Sequence, residues 1–196
     1  MQAASAIPLE DLLADVRSCS ACSDLPLGPR PVLQAASGAK LLIIGQAPGT
    51  RVHATGIPWD DPSGDNLRSW LDIEEPLFYD PTQVAIIPMG LCYPGRGRSG
   101  DLPPRPECAP RWHPLLHSAL PEVALTLLIG SYAQRRYLGS HPAGVSARVQ
   151  NFATFLEDGW FPLPHPSPRN RLWLRRRPWF LEEVVPALRQ QVQKLF

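Results

Sequence analysis

Residues 161 to 170 read FPLPHPSPRN, a segment in which Pro162, Pro164, Pro166 and Pro168 surround one histidine and one arginine. Proline fixes φ, so a loop of this kind holds its side chains at low entropic cost. That suits a site in which His165 addresses one atom of a ligand and Arg169 pushes into whatever docks beside it. A lone histidine is more often a satisfied structural residue; the string as a whole is far more specific. A second locus is LLIIGQAPGT, which reads as a buried strand running into a loop built on Gly45, Pro48 and Gly49. Glycine allows close backbone approach, so amide hydrogens of such a loop can be turned toward a ligand. Neither GxGxxG nor GxxxxGK[ST] is present, which excludes the dinucleotide fingerprint and the P-loop. Eleven residues after Gly45 comes GIPW, Gly56 to Trp59, followed by DDPSGD from Asp60 to Asp65. An aromatic on a short rigid turn can stack on a planar base, worth ~1 to 3 kcal/mol per base, although ordinary packing is its commoner use.

Cys19, Cys22, Cys92 and Cys108 form a third locus, spaced C-x2-C, a long gap, then C-x15-C. In a reducing compartment four such thiols are better explained by ligation than by disulfides. Both a 4Fe-4S cluster and a structural zinc accept four cysteines, and spacing does not choose between them; buried free thiols are the third reading.

Strands and helices must bring these loci together. Lys40 to Ile44, Val84 to Ile87, Leu125 to Ile129 and a weaker segment near Trp160 to Leu163 read as short apolar strands covered on both faces. Helical candidates are Asp65 to Leu71 with Asp65 as N-cap, Arg111 to Leu120, and Ser131 to Leu138. Helices over Leu9 to Arg17 and Phe180 to Leu195, the latter kinked at Pro186, flank this core. The alternation predicts one domain over residues 1 to 196, a three-layer α/β/α sandwich around a four-stranded, mostly parallel sheet. In such sheets ligands bind beyond the carboxyl ends of the strands, where the GQAPG loop must lie. The 24 prolines concentrate in Pro26 to Pro31, Pro94 to Pro110 and Pro162 to Pro168, which read as loops; one as long as Cys92 to Pro110 needs a job or an internal staple.

The net charge of +1 conceals an asymmetry: residues 60 to 80 carry seven acids and one arginine, while 165 to 177 carry five arginines and no acid. Phosphate binding depends on where positive charge sits, so Arg169, Arg171, Arg175, Arg176 and Arg177 could form a nucleic-acid-facing ridge or a solvated helix face. No apolar run approaches the ~20 residues of a membrane span. The N-terminal stretch MQAASAIPLEDLLADVRSC mixes acids among its apolar residues and lacks a basic leader, so it does not read as an export signal, and a cytoplasmic monomer is expected.

The four motifs, in this order along nearly the whole chain, resemble the uracil-DNA glycosylase superfamily. The overall match looks like the thermophile-type family 4 enzymes, in which a GEAPG loop is followed by GxPF and four cysteines ligate a 4Fe-4S cluster. HPSPRN is similar to the motif of single-strand-selective monofunctional uracil glycosylases. By that resemblance Gly45, Gln46, Ala47, Trp59, Pro88 and His165 line a pocket for a base flipped out of DNA, with Trp59 in place of the stacking phenylalanine. His165, Gln46 and Asp61 would be catalytic, with Asp60 the other carboxylate able to take the place of Asp61. Ser167, Arg169, Asn170, Arg171 and Arg175 would meet DNA, and Cys19, Cys22, Cys92 and Cys108 would hold the cluster, or a structural zinc. The implied activity is hydrolysis of the N-glycosidic bond of uracil or a related deaminated base; the alternative is a non-catalytic uracil or DNA-binding protein on the same scaffold. Two departures bear on specificity. Ala47 stands where family 1 enzymes hold a water-activating aspartate, and Pro88 stands where family 4 reads the uracil edge with asparagine. Proline has no side-chain hydrogen bond, so selectivity would weaken, pass to backbone groups, or shift to another deaminated base.

Overall fold

The computed structural model describes residues 7–98, 100–140 and 144–196, so the first six residues of the N-terminal stretch read above lie outside it. Strands β1 (Leu41–Ile44), β2 (Val84–Ile86), β3 (Leu125–Ile129) and β4 (Trp160–Leu163) form one sheet in the order β2-β1-β3-β4. Every pairing is parallel, with Leu42 opposite Ala85 on one side and Thr126 on the other. The strands are buried along nearly their whole length because both faces are covered, which is why they read as apolar runs without alternation.

The helices in chain order are α1 (Leu9–Arg17), α2 (Thr50–Thr55), α3 (Pro62–Leu71), α4 (Glu75–Phe78), α5 (Cys108–Ser118), α6 (Gly130–Leu138), α7 (Gly144–Gln150), α8 (Phe152–Leu156), α9 (Arg171–Arg175) and α10 (Val185–Gln193). Leu41 and Ile43 point to one layer, where Leu67 and Leu71 of α3, Val149 of α7 and Leu188 of α10 pack. Leu42 and Ile44 point to the other, against Leu12 and Val16 of α1, Leu116 of α5 and Ala133 of α6. Each fully buried leucine stabilises this three-layer arrangement by about 1.5–3 kcal/mol relative to exposure. Among the described residues no helix is long and apolar enough to cross a membrane.

Three differences from the expected element ends have a clear local cause. Helix α3 starts at Pro62, not Asp65, because the Asp61 carboxylate accepts hydrogen bonds from the Ser63 and Gly64 amides at 2.8 and 2.9 Å. Pro62 then sits at the first helical position, where its missing N–H costs nothing. Helix α5 starts at Cys108, three residues before the expected Arg111, and tolerates Pro110 in its first turn, whose amides have no intrahelical acceptor. At the C-terminus the chain makes a π-helical turn, Phe180–Val184, before α10; the widened turn makes room for the ring of Pro186. Pro162 lies within β4, an edge strand, where a missing donor is tolerated.

Candidate functional site

The carboxyl ends of the parallel strands open into a cavity of about 440 Å³, within the range of small-molecule sites. Its walls include Gly45, Gln46, Ala47, Trp59 and Asp61 from the segment after β1, and Pro88 from the segment after β2. His165, Ser167 and Arg169 arrive from the loop after β4. The GQAPG, GIPW and HPSPRN motifs thus converge on one space.

Trp59 and His165 face each other with ring centroids 5.6 Å apart, tilted by 39°. Local structure holds the indole tightly. Trp59 itself adopts a left-handed φ of 58°, uncommon for a residue with a side chain. A methyl group at Gly45 would lie 2.8 Å from Trp59 Cζ2, and one at Gly64 only 1.8 Å from the Trp59 carbonyl oxygen. Both positions therefore demand glycine: one to admit the ring, the other to let the start of α3 pass under the turn.

His165 is fixed from several elements. Its carbonyl accepts from Asn170 Nδ2 at 2.7 Å, and the Pro166 carbonyl accepts from Asn66 Nδ2 of α3 at 2.8 Å. Gln134, fully buried in α6, donates to the carbonyls of Leu128 and Leu163 and so locks together the ends of β3 and β4 that launch this loop. His165 Nδ1 is buried without a hydrogen-bond partner among the described residues. Burial depresses the imidazole pKa, partly offset by the Asp61 carboxylate, so the ring is neutral near pH 7. The His165 ring lines the cavity, and its buried Nδ1 is a polar atom that calls for a partner.

The opposite wall behaves differently. Pro88 has no amide hydrogen, and its carbonyl meets His113 Nε2 at 3.1 Å. His113 is buried, its pKa pushed down to about 4 by desolvation, so it is neutral. Its Nε2–H must then donate to Pro88, leaving Nδ1 to accept from the Tyr137 hydroxyl at 2.5 Å; Tyr137 in turn accepts from His117 Nε2 at 3.2 Å. The Met89 and Gly90 amides donate to the carbonyls of Gly45 and Gln46, both at 2.9 Å. The Pro88 carbonyl and the Met89 and Gly90 amides are thus engaged within the protein.

The remaining sequence-predicted residues distribute as follows. Gln46 donates its side-chain amide to the Leu102 carbonyl at 3.2 Å and ties the GQAPG loop to the segment 95–102. Asp61 serves chiefly as the cap of α3 through one oxygen, while Asp60 pairs with Arg51 at 3.0 Å. Ser167 accepts from the Arg169 amide at 3.3 Å, and the Arg169 guanidinium lies over Gly100 at the cavity mouth. Asn170, Arg171 and Arg175 lie outside the cavity; Arg171 and Arg175 are exposed on α9, whereas Arg177 stacks on Trp173 at 4.9 Å.

The long proline-rich connection has the internal staple its length called for. Gly97 donates to Gly100 and Leu102 to Gly95, at 2.7 and 2.8 Å, pairing 95–97 with 100–102 as the two arms of a small hairpin at the mouth. It brings Asp101 into the cavity wall. Sequence reasoning missed Asp101, Gln134, Asn66 and His113. Only the His113/His117 spacing, one helical turn apart, signalled anything locally.

The four cysteines are free thiols at the junction of the N-terminal segment with the 92–108 connection. Cys22 donates to Glu107 Oε1 at 3.5 Å, and Cys108 accepts from the Leu91 amide at 3.4 Å. Burial raises the Cys108 pKa to about 11 and that of Cys92 above its ordinary value, and Cys19 and Cys22 raise both further. The thiols therefore share one patch and disfavour each other's ionisation, a donor set whose chemistry suits a cationic centre. Among the described residues no three Cys, His, Asp or Glu side chains close to metal-ligating geometry.

A parallel α/β sheet thus carries, at its carboxyl edge, a cavity whose wall includes the paired Trp59 indole and His165 imidazole beside an arginine-bearing loop. The profile of the uracil DNA glycosylase superfamily matches residues 33–189, most of the chain, and the protein belongs to that superfamily.

Proposed function

We propose that this protein is a monofunctional DNA glycosylase that hydrolyses the N-glycosidic bond of uracil or a related deaminated base after flipping it from DNA. The observation that carries this reading is the meeting of Trp59 and His165, ring centroids 5.6 Å apart, in the wall of one cavity. A base must leave the stack before its glycosidic bond can be reached. Trp59 offers the stacking surface. As the bond breaks the sugar becomes oxocarbenium-like and negative charge builds on the base. A neutral His165 donating to a base carbonyl, with amides of the GQAPG loop, stabilises that anion; one well-placed donor contributes ~3 to 4 kcal/mol. Arg169 fills the vacated position, and Arg171 and Arg175 hold phosphates.

The absence of a side-chain hydrogen-bonding group at Pro88 in the cavity wall supports selection of the base chiefly by shape and by His165. The substrate class is therefore deaminated bases broadly, with uracil among them. Cys19, Cys22, Cys92 and Cys108 hold a 4Fe-4S cluster, as in family 4, with a structural zinc as the alternative; when bound, either group would tie the N-terminal segment to the connection that carries the mouth hairpin. Absorbance near 400 nm in iron-replete protein supports the cluster, and stoichiometric zinc in the same preparation overturns it.

The functional reading is tested with oligonucleotides bearing uracil, hypoxanthine, xanthine or a thymine mismatch, scored for alkali-labile sites with protein in excess. Release of at least one deaminated base is expected. Tight binding to uracil DNA without release would select the non-catalytic scaffold instead. Failure to bind any DNA at low salt, where basic contacts are strongest, would remove both.

A further inference from the structure

Hydrolysis of a glycosidic bond requires a group that orients water and faces the positive charge developing on the sugar. Two carboxylates reach the cavity, those of Asp61 and Asp101. They are not equivalent. Asp61 Oδ1 is occupied by the Ser63 and Gly64 amides and holds the first turn of α3. The Asp101 carboxylate makes no hydrogen bond to a protein group among the described residues. It stands on the returning arm of the mouth hairpin, opposite Arg96 across an antiparallel bridge. Its Oδ2 lies 3.6 Å from where a methyl group at Gly49 would be, so it looks across the mouth at the end of the GQAPG loop.

Depth in the cavity assigns the parts. A base lodged against Trp59 and His165 occupies the interior, and its deoxyribose, the last part to enter, remains at the mouth beside Asp101. An exposed carboxylate on a face that meets phosphates opposes binding, so its presence there calls for a compensating role in the reaction. Its surroundings are mixed: burial, with the Asp61 charge adding to it, raises the Asp101 pKa, while Arg169 and Arg96 pull it down. A carboxylate poised in this way retains enough basicity to take a proton.

Resting on the glycosylase reading, we propose that Asp101 is a catalytic residue that holds the hydrolytic water against C1′ and stabilises the oxocarbenium-like sugar. The water oxygen bonds to C1′ as the C1′–N bond breaks, and that bond's electron pair departs with the base. The water proton passes to the Asp101 carboxylate, which returns it to solvent, and the base anion is protonated from solvent. No further reactant is needed.

The experiment is single-turnover base release from the oligonucleotide that wild-type protein cleaves best, with Asp101→Asn and Asp61→Asn compared across pH. Asparagine is as good an N-cap as aspartate, so the second variant keeps α3 intact. Asp101→Asn is expected to slow release by on the order of 100-fold or more and to abolish the acidic limb of the rate profile. Its affinity for the same oligonucleotide, read by fluorescence anisotropy, should be equal or tighter, and its melting temperature unchanged. A D101N rate equal to wild type, or the loss appearing in Asp61→Asn instead, overturns the assignment while leaving the glycosylase reading intact. Absence of release by the wild type from every base overturns that reading and this assignment with it.

Discussion

The two walls of the cavity are built on opposite principles. On the Trp59 and His165 side, backbone is forced into an unusual conformation, glycines make room for a ring, and a buried nitrogen is left without a partner. On the Pro88 side, the proline carbonyl and the next two amides are engaged, and a neutral chain of His113, Tyr137 and His117 stands behind them. Strain and unsatisfied polarity gather where a ligand is handled, and saturation marks a wall that supports without reading. The same contrast separates the two loops: the HPSPRN loop is held through its backbone carbonyls, which leaves the His165 ring to the cavity.

If that contrast is right, substitutions on the two sides should have unequal effects. His165→Ala removes the anion-stabilising donor and should slow base release by on the order of 10²–10³-fold, measured at enzyme excess. Gly45→Ala should follow, because its methyl displaces the indole that sits 2.8 Å away; a shift of that kind costs up to about 100-fold in rate while the melting temperature barely moves. A smaller effect, on stability alone, is expected behind the other wall. The folded-state pKa of His113, about 4, lies below its ordinary value of 6.5. The unfolded chain therefore binds the extra proton between these values, so stability is complete above pH 6.5 and falls as pH drops toward 4, by up to about 3 kcal/mol. Denaturant melts across that window should show the slope, and His113→Phe should make it shallower, with the other histidines whose pKa burial lowers keeping a remainder. Smallest of all, Pro88→Ala should leave the relative rates for uracil, hypoxanthine and xanthine unchanged. A changed ranking would show that the silent wall reads the base after all.

The sequence made the sheet and the convergence of motifs legible for physical reasons. Leu41–Ile44 and Leu125–Ile129 are covered on both faces, so burial wrote itself as apolar runs, broken only by Thr126 and each followed by glycine. GQAPG and HPSPRN follow strands, and parallel strands send such loops to one edge. What stayed hidden depended on long-range contacts. Asp61 and Asp65 are equally good caps by type, and only the path of the chain at Trp59 decides that Asp61 closes α3. Asp101 lies in a run of arginine, glycine and proline that nothing local marks as a hairpin. Asn66 and Gln134 look like ordinary helix residues until they are found gripping the carbonyls around the His165 loop.

The central claim, that His165 meets the flipped base, can be observed at the nitrogen itself. Protein labelled with nitrogen-15 in its histidines, mixed with a uracil-bearing oligonucleotide under conditions too cold for turnover, should show the His165 imidazole signals shift while those of buried His113 stay in place. Substituting Trp59→Ala should weaken that response. Saturable DNA binding with the His165 signals unmoved would contradict the account.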